Sequence, residues 1–412
     1  MVNGMRRLGS LLLFAFPIAT HAEDARLSRL QVLLVPMRAV QMANLTRGAT
    51  PELTVIKHEL RDWVESHLSE LHWYEDPKRL EQKLNGDLRQ AKLFCRISSW
   101  PNDSPCPDWT ALGFLGKITL GIQQNGSFLV LQTAVGIQQC GFDESVYAYQ
   151  WTDDHWQRFW ESEQDDYAEK KYFPQTLQAV LISPTNRDRN ADKNEHLVLT
   201  LGTEPWCTSA WHPVYFRAWK TSSSYSMPML LLNGTEDSYL GSDPPIKGSV
   251  GPSDLLIEYA VGSIDGGVHN RREIRHYQVN NDKINRVDPI VLSPRDFVDE
   301  WIRHPWAEMA HWTEGSGLRG LRKLHERWSG SLVFGEFIYP TLHCEEKPDL
   351  WQAGIRISDK SGKEEAPEYF LIRWRPPYHF TMVDASDHPW PGCTEQDRKA
   401  DEFRTLFPGD WH

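Results

Sequence analysis

Apolar side chains recur at two different periods along this chain, and the change of period divides it. Leu53, Ile56, Leu60, Trp63, Leu68 and Leu71 follow the three- and four-residue steps that gather on one helical face. Thr50 can cap that helix, Pro51 suits its first turn, and Glu52 complements the positive end of its dipole. A further helix is predicted from Asp76-Pro77, with Leu80, Leu84, Leu88 and Ala91 on one face. Ala25 to Ala43 is apolar and predicted helical, broken or kinked at Pro36. The polar faces carry charges of both signs. These helices are therefore expected to pack on the rest of the protein or on each other, rather than to form a partner-binding hairpin.

From Phe114 the period shortens to that of strands. Ile118 to Gln124, Asn125-Gly126 and Phe128 to Ile137 read as a hairpin, with Asn-Gly supplying a positive-φ turn. Val146 to Trp151 alternates, turns at Asp153-Asp154 and returns from His155 to Glu163. Leu197 to Leu201 opens a second unit that continues through Val214 to Trp219. A third begins at Asp254 to Tyr259 and is completed by Arg272 to Val279 and Ile284 to Val287. A fourth runs through Leu332 to Cys344, Trp351 to Ile357 and Tyr369 to Trp374. Cys140 precedes Trp151 much as Cys207 precedes Trp219, which places Tyr149 and Arg217 in matching positions. Units of this kind cannot cover their own apolar faces, so they must stack or close into a ring.

A helical insertion interrupts the strands at about 293–328. Ser293-Pro294-Arg295-Asp296 resembles a capped start, followed by Phe297, Val298, Trp301 and Ile302. Leu318, Leu321, Leu324 and Trp328 predict another helix with a basic outer face. The fold class expected is mainly β: propeller-like, repeated antiparallel strand units with an N-terminal helical segment at 23–95 and a β-rich domain at 96–412.

The first 22 residues read as an export signal. Arg6 and Arg7 precede an apolar run from Leu8 to Ala19, and Thr20-His21-Ala22 suits a cleavage site. No later run reaches the roughly 20 apolar residues that a membrane-spanning helix needs. A periplasmic or extracellular location is expected, where cysteines tend to pair. Of Cys95, Cys106, Cys140, Cys207, Cys344 and Cys393, the first two enclose a short Pro- and Ser-rich loop and are expected to bond. Cys140 and Cys207 end equivalent strands and could form another pair. The 412 residues are 40% hydrophobic and 24% charged, with a formal net charge of −12. That balance argues against a nucleic-acid partner, which needs a basic surface.

One loop has the composition of a cation site. Asp188, Asn190, Asp192 and Asn194 place side-chain oxygens at alternate positions, and Leu197-Val198-Leu199 follows as a strand. A hard cation such as calcium takes six to eight oxygens, which alternate positions of a tight loop can turn inward together. This stretch resembles the calcium loop and following strand of FG-GAP/VCBS-type propeller repeats, which occur in integrins and in many exported bacterial proteins. The resemblance implies a propeller, a calcium ion on those four residues, and a role in binding. Ala191 and Lys193 stand where the family has glycines, and His196 where it places its last aspartate. The alternative is a solvated polar hairpin connection.

Other chemistries leave little trace. Gly315 to Gly320 fits a Gly-x-Gly-x-x-Gly spacing, but no strand leads into it, so it reads as a join between helices. No nucleophile elbow or His-Glu-x-x-His motif occurs. His343-Cys344-Glu345-Glu346 has metal-ligating types, but Cys344 is expected in a disulfide. Glu161, Glu163, Asp165, Asp166 and Glu169 form an acidic run that reads as a solvated loop, with glycosidic acid–base chemistry as the alternative. Trp151, Trp156, Trp160, Trp206, Trp211 and Trp219 suggest sugar stacking, against a default of strand packing. The function expected is exported binding or scaffolding of a protein or glycan. The alternatives are a secreted hydrolase or lyase acting on a glycan or glycoconjugate, or a structural envelope protein.

Overall fold

The computed structural model describes residues 19–38, 50–96, 106, 112–123, 128–138, 141–163, 176–185, 195–203, 211–222, 227–239, 246–265, 270–314, 318–329, 334–358 and 366–394. The chain forms two compact units. The first comprises Met1–Ile122 and Leu129–Pro174, the second Gln123–Phe128 and Gln175–His412.

The first unit contains α1 (Ala19–Arg38), α2 (Thr50–Leu68), α3 (Lys78–Gln90) and a sheet of β1 (Thr119–Gln123), β2 (Phe128–Gln138), β3 (Gly141–Thr152) and β4 (His155–Ser162). The strands lie side by side in chain order. The helical stripe on α2 is buried as its spacing predicts. Leu53, Ile56, Leu60 and Trp63 share one core with Leu84 and Leu88 of α3 and with Leu129, Leu131, Tyr147 and Trp156 of the sheet. Asp76 accepts the Lys78 N–H at 2.9 Å where α3 begins. The turn between β3 and β4 has positive φ at Asp153 (49°) and Asp154 (61°), the geometry that a two-residue hairpin turn requires.

An edge strand presents unpaired backbone groups, and α3 covers those of the first sheet. The Asn85 side chain donates to the Ile118 carbonyl at 2.8 Å and accepts the Ile118 N–H at 3.0 Å. Glu81 accepts the N–H of Leu120 in β1 at 3.0 Å. Deeper in, Lys57 of α2 meets Asp143 of β3 at 2.5 Å, with both side chains fully buried.

The second unit contains three antiparallel sheets. The first is β5 (Thr176–Pro184), β6 (His196–Thr203), β7 (Trp211–Thr221) and β8 (Met229–Tyr239). The next is β9 (Ile246–Val250), β10 (Asp254–Val261), β11 (Arg271–Asn280) and β12 (Lys283–Val287). The last is β13 (Phe334–Cys344), β14 (Leu350–Ser358), β15 (Glu368–Arg375), β16 (His379–Ser386) and β17 (Cys393–Thr394). Consecutive strands are neighbours throughout, except that β17 returns to pair with β13. Every residue of β6 is buried, and one of its faces, Leu197, Leu199 and Leu201, packs on Ile246, Leu255 and Ile257 of the β9–β12 sheet. Gly248 permits this approach, since a Cβ there would lie 2.4 Å from the Leu256 carbonyl oxygen and 3.1 Å from Leu201.

The helical insertion forms α4 (Pro294–Arg303), α5 (Trp306–Met309), a 3-10 turn (Ala310–Trp312) and α6 (Leu318–Ser329). Ser293 caps α4 by accepting the Asp296 N–H, and Pro294 occupies its first turn. Phe297, Val298, Trp301 and Ile302 are buried in one core with Trp328 of α6 and with Phe337, Ile355, Phe370 and Phe380 of the last sheet. Leu318 departs from the predicted apolar stripe and is 45% exposed, because it opens α6 before the helix reaches that core.

The molecule is mainly β, with four antiparallel sheets. The sequence periodicity missed β5, β8, β9 and β16. Each of these is an outer strand of its sheet, and β9 alternates between buried and accessible positions. Leu197 to Leu201 is accordingly the second strand of its sheet rather than the first, as is Asp254 to Tyr259. The matched segments around Trp151 and Trp219 are both third strands. A bulge interrupts the pairing with the fourth strand at Ala148/Tyr149 and at Ala218/Trp219. Aligning the bulges matches Tyr149 with Trp219 rather than with Arg217, a two-residue shift that leaves the same side chains on the same face. The last sheet has a bulge in the same pairing, at Leu371/Ile372.

Cys95 is bonded to Cys106, as the short loop predicts, and Cys344 to Cys393. Cys140 and Cys207 lie outside the described residues, as does the expected export signal up to residue 18. No described helix is long and apolar enough to cross a membrane.

Two expectations follow. Non-reducing peptide mapping should recover Cys95 linked to Cys106 and Cys344 linked to Cys393, and reduction should cost about 3–4 kcal/mol per bridge from loop closure, read by urea melts. Lys57→Met or Asp143→Ala alone should destabilise the first unit by about 3–5 kcal/mol, because each leaves a buried charge without its main counter-ion. The double variant should recover most of that loss.

Candidate functional site

The densest group of ionisable side chains lies where β11 and β12 meet α4. Arg271, Glu273 and Arg275 occupy alternate positions of β11, so they share one face of the strand. They lie opposite Val261, Tyr259 and Ile257 of β10, on the face that forms the apolar core farther along. The face is thus buried throughout but charged over part of its length. Such burial is tolerable only if the charges are paired.

Pairing is nearly complete. The Arg271 guanidinium reaches Glu273 at 3.0 Å, Asp299 at 2.9 Å and Glu300 at 2.8 Å. Arg275 contacts Glu273 at 2.8 Å and Glu308 of α5 at 3.1 Å. Arg286 of β12 is paired with both Glu300 and Glu308. His304, the C-cap of α4, places Nε2 3.1 Å from Glu273 and 3.2 Å from Glu300. Asp299 also accepts the Ser263 hydroxyl at 2.6 Å and the Ile264 N–H at 2.9 Å. Glu236 of β8 also lies 3.4 Å from Arg275, so three arginines and His304 face five carboxylates.

The titration behaviour follows this geometry. Burial pushes the His304 pKa down, but the charge of Glu300 and hydrogen bonds to Glu273 and Glu300 outweigh it, so the net shift is upward. Burial pushes Glu300 up, but Arg286, His304 and Arg271 hold it well below the usual carboxylate range. Glu273 is also lowered: burial and the nearby Glu300 oppose ionisation, while Arg271, His304 and Arg275 prevail. Burial alone would lower Arg271, yet Asp299, Glu273 and Glu300 raise it well above its ordinary value. Arg271, Glu273 and Glu300 are thus held in their charged forms by their partners. A general acid or base needs a pKa near the working pH; Glu273 and Glu300 are shifted away from it, whereas His304 and Glu236, a further carboxylate beside Arg275 that burial raises, are shifted upward.

Among the described residues, Glu273, Glu300 and His304 are the one group with ligand atoms close enough to share a metal ion, within 4.8 Å of one another. The donor set does not fit one. His304 Nε2 lies between the two carboxylates, where the metal would sit, and its upward-shifted pKa favours the protonated ring, whereas metal binding needs a neutral imidazole. Arg275 and Arg286 approach the same oxygens and would repel a cation. The cluster is a closed ion network that fastens α4 to the sheet.

A cavity of about 500 Å³ opens beside it, lined by Asn285, Arg286, Asp288, Glu308, His311 and Trp312. Its carboxylates are engaged as well. Asp288 accepts the Trp312 indole N–H at 3.1 Å and pairs with His379, and Glu308 holds Arg275 and Arg286.

The residues singled out from the sequence are placed elsewhere. Asp188, Asn190, Asp192 and Asn194 lie outside the described residues. Their loop joins β5 to β6, and its ends are fastened by the Thr185 N–H to the Glu195 carbonyl at 3.0 Å. Glu163 does not belong to a solvated loop: it is buried in the first unit, accepts the Tyr147 hydroxyl at 2.6 Å and lies 3.1 Å from His58. Glu161 is half-exposed on β4 and 3.4 Å from Arg158; Asp165, Asp166 and Glu169 lie outside the described residues. Trp156 and Trp160 are buried packing and Trp211 is 41% exposed, while Trp206 lies outside the described residues. Cys344 is held in its disulfide, as expected.

The ion network itself escaped the sequence reading. Its trace is Arg271-x-Glu273-x-Arg275, charges at strand period on a single face, together with Glu300 and His304 one helical turn apart. Compared with known proteins, the chain matches no family model and is similar to no curated sequence.

The network sets a pH dependence. His304, with a raised folded pKa, contributes fully below the free imidazole value of about 6.5 and loses that contribution as pH rises through the folded value. Glu273 and Glu300, with lowered values, contribute above the ordinary carboxylate range and lose it as pH falls through theirs. Urea melts of the second unit should therefore show lower stability at about pH 9 than at about pH 6. His304→Gln should be less stable at the lower pH and should lack that slope.

Proposed function

We propose that this is an exported binding or scaffolding protein built on propeller-like repeats, with a glycan or a protein as its ligand. The observation that carries the reading is the shared design of the sheets. Each is an antiparallel meander in chain order, and three have a bulge between the third and fourth strands. Repeated meanders of this kind suit an architecture whose units cover one another's faces and present connecting loops to a ligand. The two disulfides support residence in an oxidising compartment. The closed ion network favours binding over catalysis, because its acids and bases are consumed in holding α4. The hydrolase reading rests on one feature, the shared cavity of Asp288 and Glu308.

In this reading Asp188, Asn190, Asp192 and Asn194 hold calcium at the β5–β6 connection, as in the FG-GAP/VCBS-type repeats that they resemble. A loop with fastened ends has less entropy to lose on closing around an ion. The test is thermal unfolding of residues 23 to 412 with calcium and with a chelator. A ligand that binds the folded state raises the midpoint, by about 2.7 kcal/mol of stability at a hundredfold excess over Kd. Calcium should raise the midpoint of the wild type and leave Asp192→Ala unchanged. An equal midpoint with calcium and chelator would remove the ion and, with it, the loop's link to that family.

A further inference from the structure

The nine residues between α2 and α3 include three consecutive rings, His72, Trp73 and Tyr74. Trp73 is 49% exposed and Tyr74 68% exposed. Isolated exposed aromatics are common, but these are braced. The Tyr74 ring lies parallel to His72, with centroids 5.4 Å apart and 3° between planes, and Trp73 stands at 86° to Tyr74. His72 packs on Trp151, which meets the buried Trp156 edge-on at 5.2 Å. Trp156 donates its indole N–H to the Leu71 carbonyl at 2.9 Å, tying the base of the turn to the core. The His72 N–H donates to the Glu75 carboxylate at 2.9 Å, and the Glu75 N–H returns to the His72 carbonyl at 3.0 Å. Rings held this way have little left to lose in entropy when a ligand settles on them.

The residues just before and after the rings line a cleft of about 520 Å³: Glu70, Leu71, Glu75 and Asp76, together with Arg79 and Lys83 of α3, the latter also 3.2 Å from Asp87. We propose that the His72–Tyr74 turn and this cleft form a binding site for a neutral glycan. The mixed charges decide the class. Three carboxylates disfavour a simple anion, and two basic side chains disfavour a simple cation. A neutral pyranose offers hydroxyls that donate to carboxylates and accept from Arg79 and Lys83. Its axial C–H face carries the partial positive charge that suits the electron-rich face of an indole or phenol.

The inference rests on the binding reading above and names its ligand class. The test is calorimetric titration of the mature chain with cellotetraose, mannotetraose, xylotetraose and chitotetraose, with chromatography of the sugar afterwards. At least one tetraose should bind. Trp73→Ala and Tyr74→Ala should each weaken it about tenfold or more, the loss of one ring contact of about 1.4 kcal/mol. Trp211→Ala, which removes an exposed tryptophan of the second unit, should not, and all three melting midpoints should match the wild type. A chain that binds none of the tetraoses overturns the site, as does a bound tetraose indifferent to both ring substitutions. In that second case the binding reading survives without this site. A tetraose that binds through Trp73 and is recovered shortened supports the site and overturns the binding reading in favour of a hydrolase or lyase.

Discussion

An antiparallel meander of four strands leaves two edges and two faces that water and other chains can reach, and much of this protein answers that constraint. In the first unit α3 lends the Asn85 amide and the Glu81 carboxylate to Ile118 and Leu120, so side chains complete the ladder that β1 leaves open. In the second unit β17 pairs along β13, and the Cys344–Cys393 bond holds the short strand where two residues of pairing could not. Faces are covered by sheet packing on sheet, with Gly248 allowing the close approach, or by α4 and α6 lying across the last sheet.

The same constraint explains why so much charge is buried around β11. A strand alternates its side chains between faces, so covering one face of Arg271-x-Glu273-x-Arg275 buries all three groups together. Removing them from water costs several kcal/mol per ion unless partners arrive with good geometry. The partners come from other elements: Asp299, Glu300 and His304 from α4 and its cap, Glu308 from α5, Arg286 from β12. The network therefore specifies where the helical insertion docks. A shifted α4 would leave a buried arginine or carboxylate unpaired, whereas a shifted apolar contact would only exchange one hydrocarbon neighbour for another.

This division of labour bears on function. Many of the buried ionisable groups are engaged in ion pairs around α4, whereas the aromatic turn after α2 leaves Trp73 and Tyr74 exposed. The meanders are rigid, while their connections tolerate change that strands do not.

Periodicity and capping chemistry are local, and what they determine was legible in the sequence. The α2 and α3 stripes, the Ser293 cap with Pro294, the Asp153-Asp154 turn and the buried strands β6, β7, β10 and β14 all follow from residue spacing. The bond between Cys95 and Cys106 followed from a short loop. Outer strands such as β9 were not legible, because Ile246-Lys247-Gly248-Ser249-Val250 carries only two large apolar residues around a glycine, although its burial alternates. Nor were the roles of charged and aromatic residues. Glu163 belongs to an acidic run in the sequence and to a buried pair with Tyr147 in the fold. Trp156 holds a turn that exposes Trp73, 83 positions earlier. The sequence by itself determined which segments are helices and which are the covered strands, since those depend on neighbours within a few residues. Only the tertiary structure decided which charges are spent on pairing and which rings stay exposed. That depends on which distant element supplies the partner, and residue spacing carries no record of it.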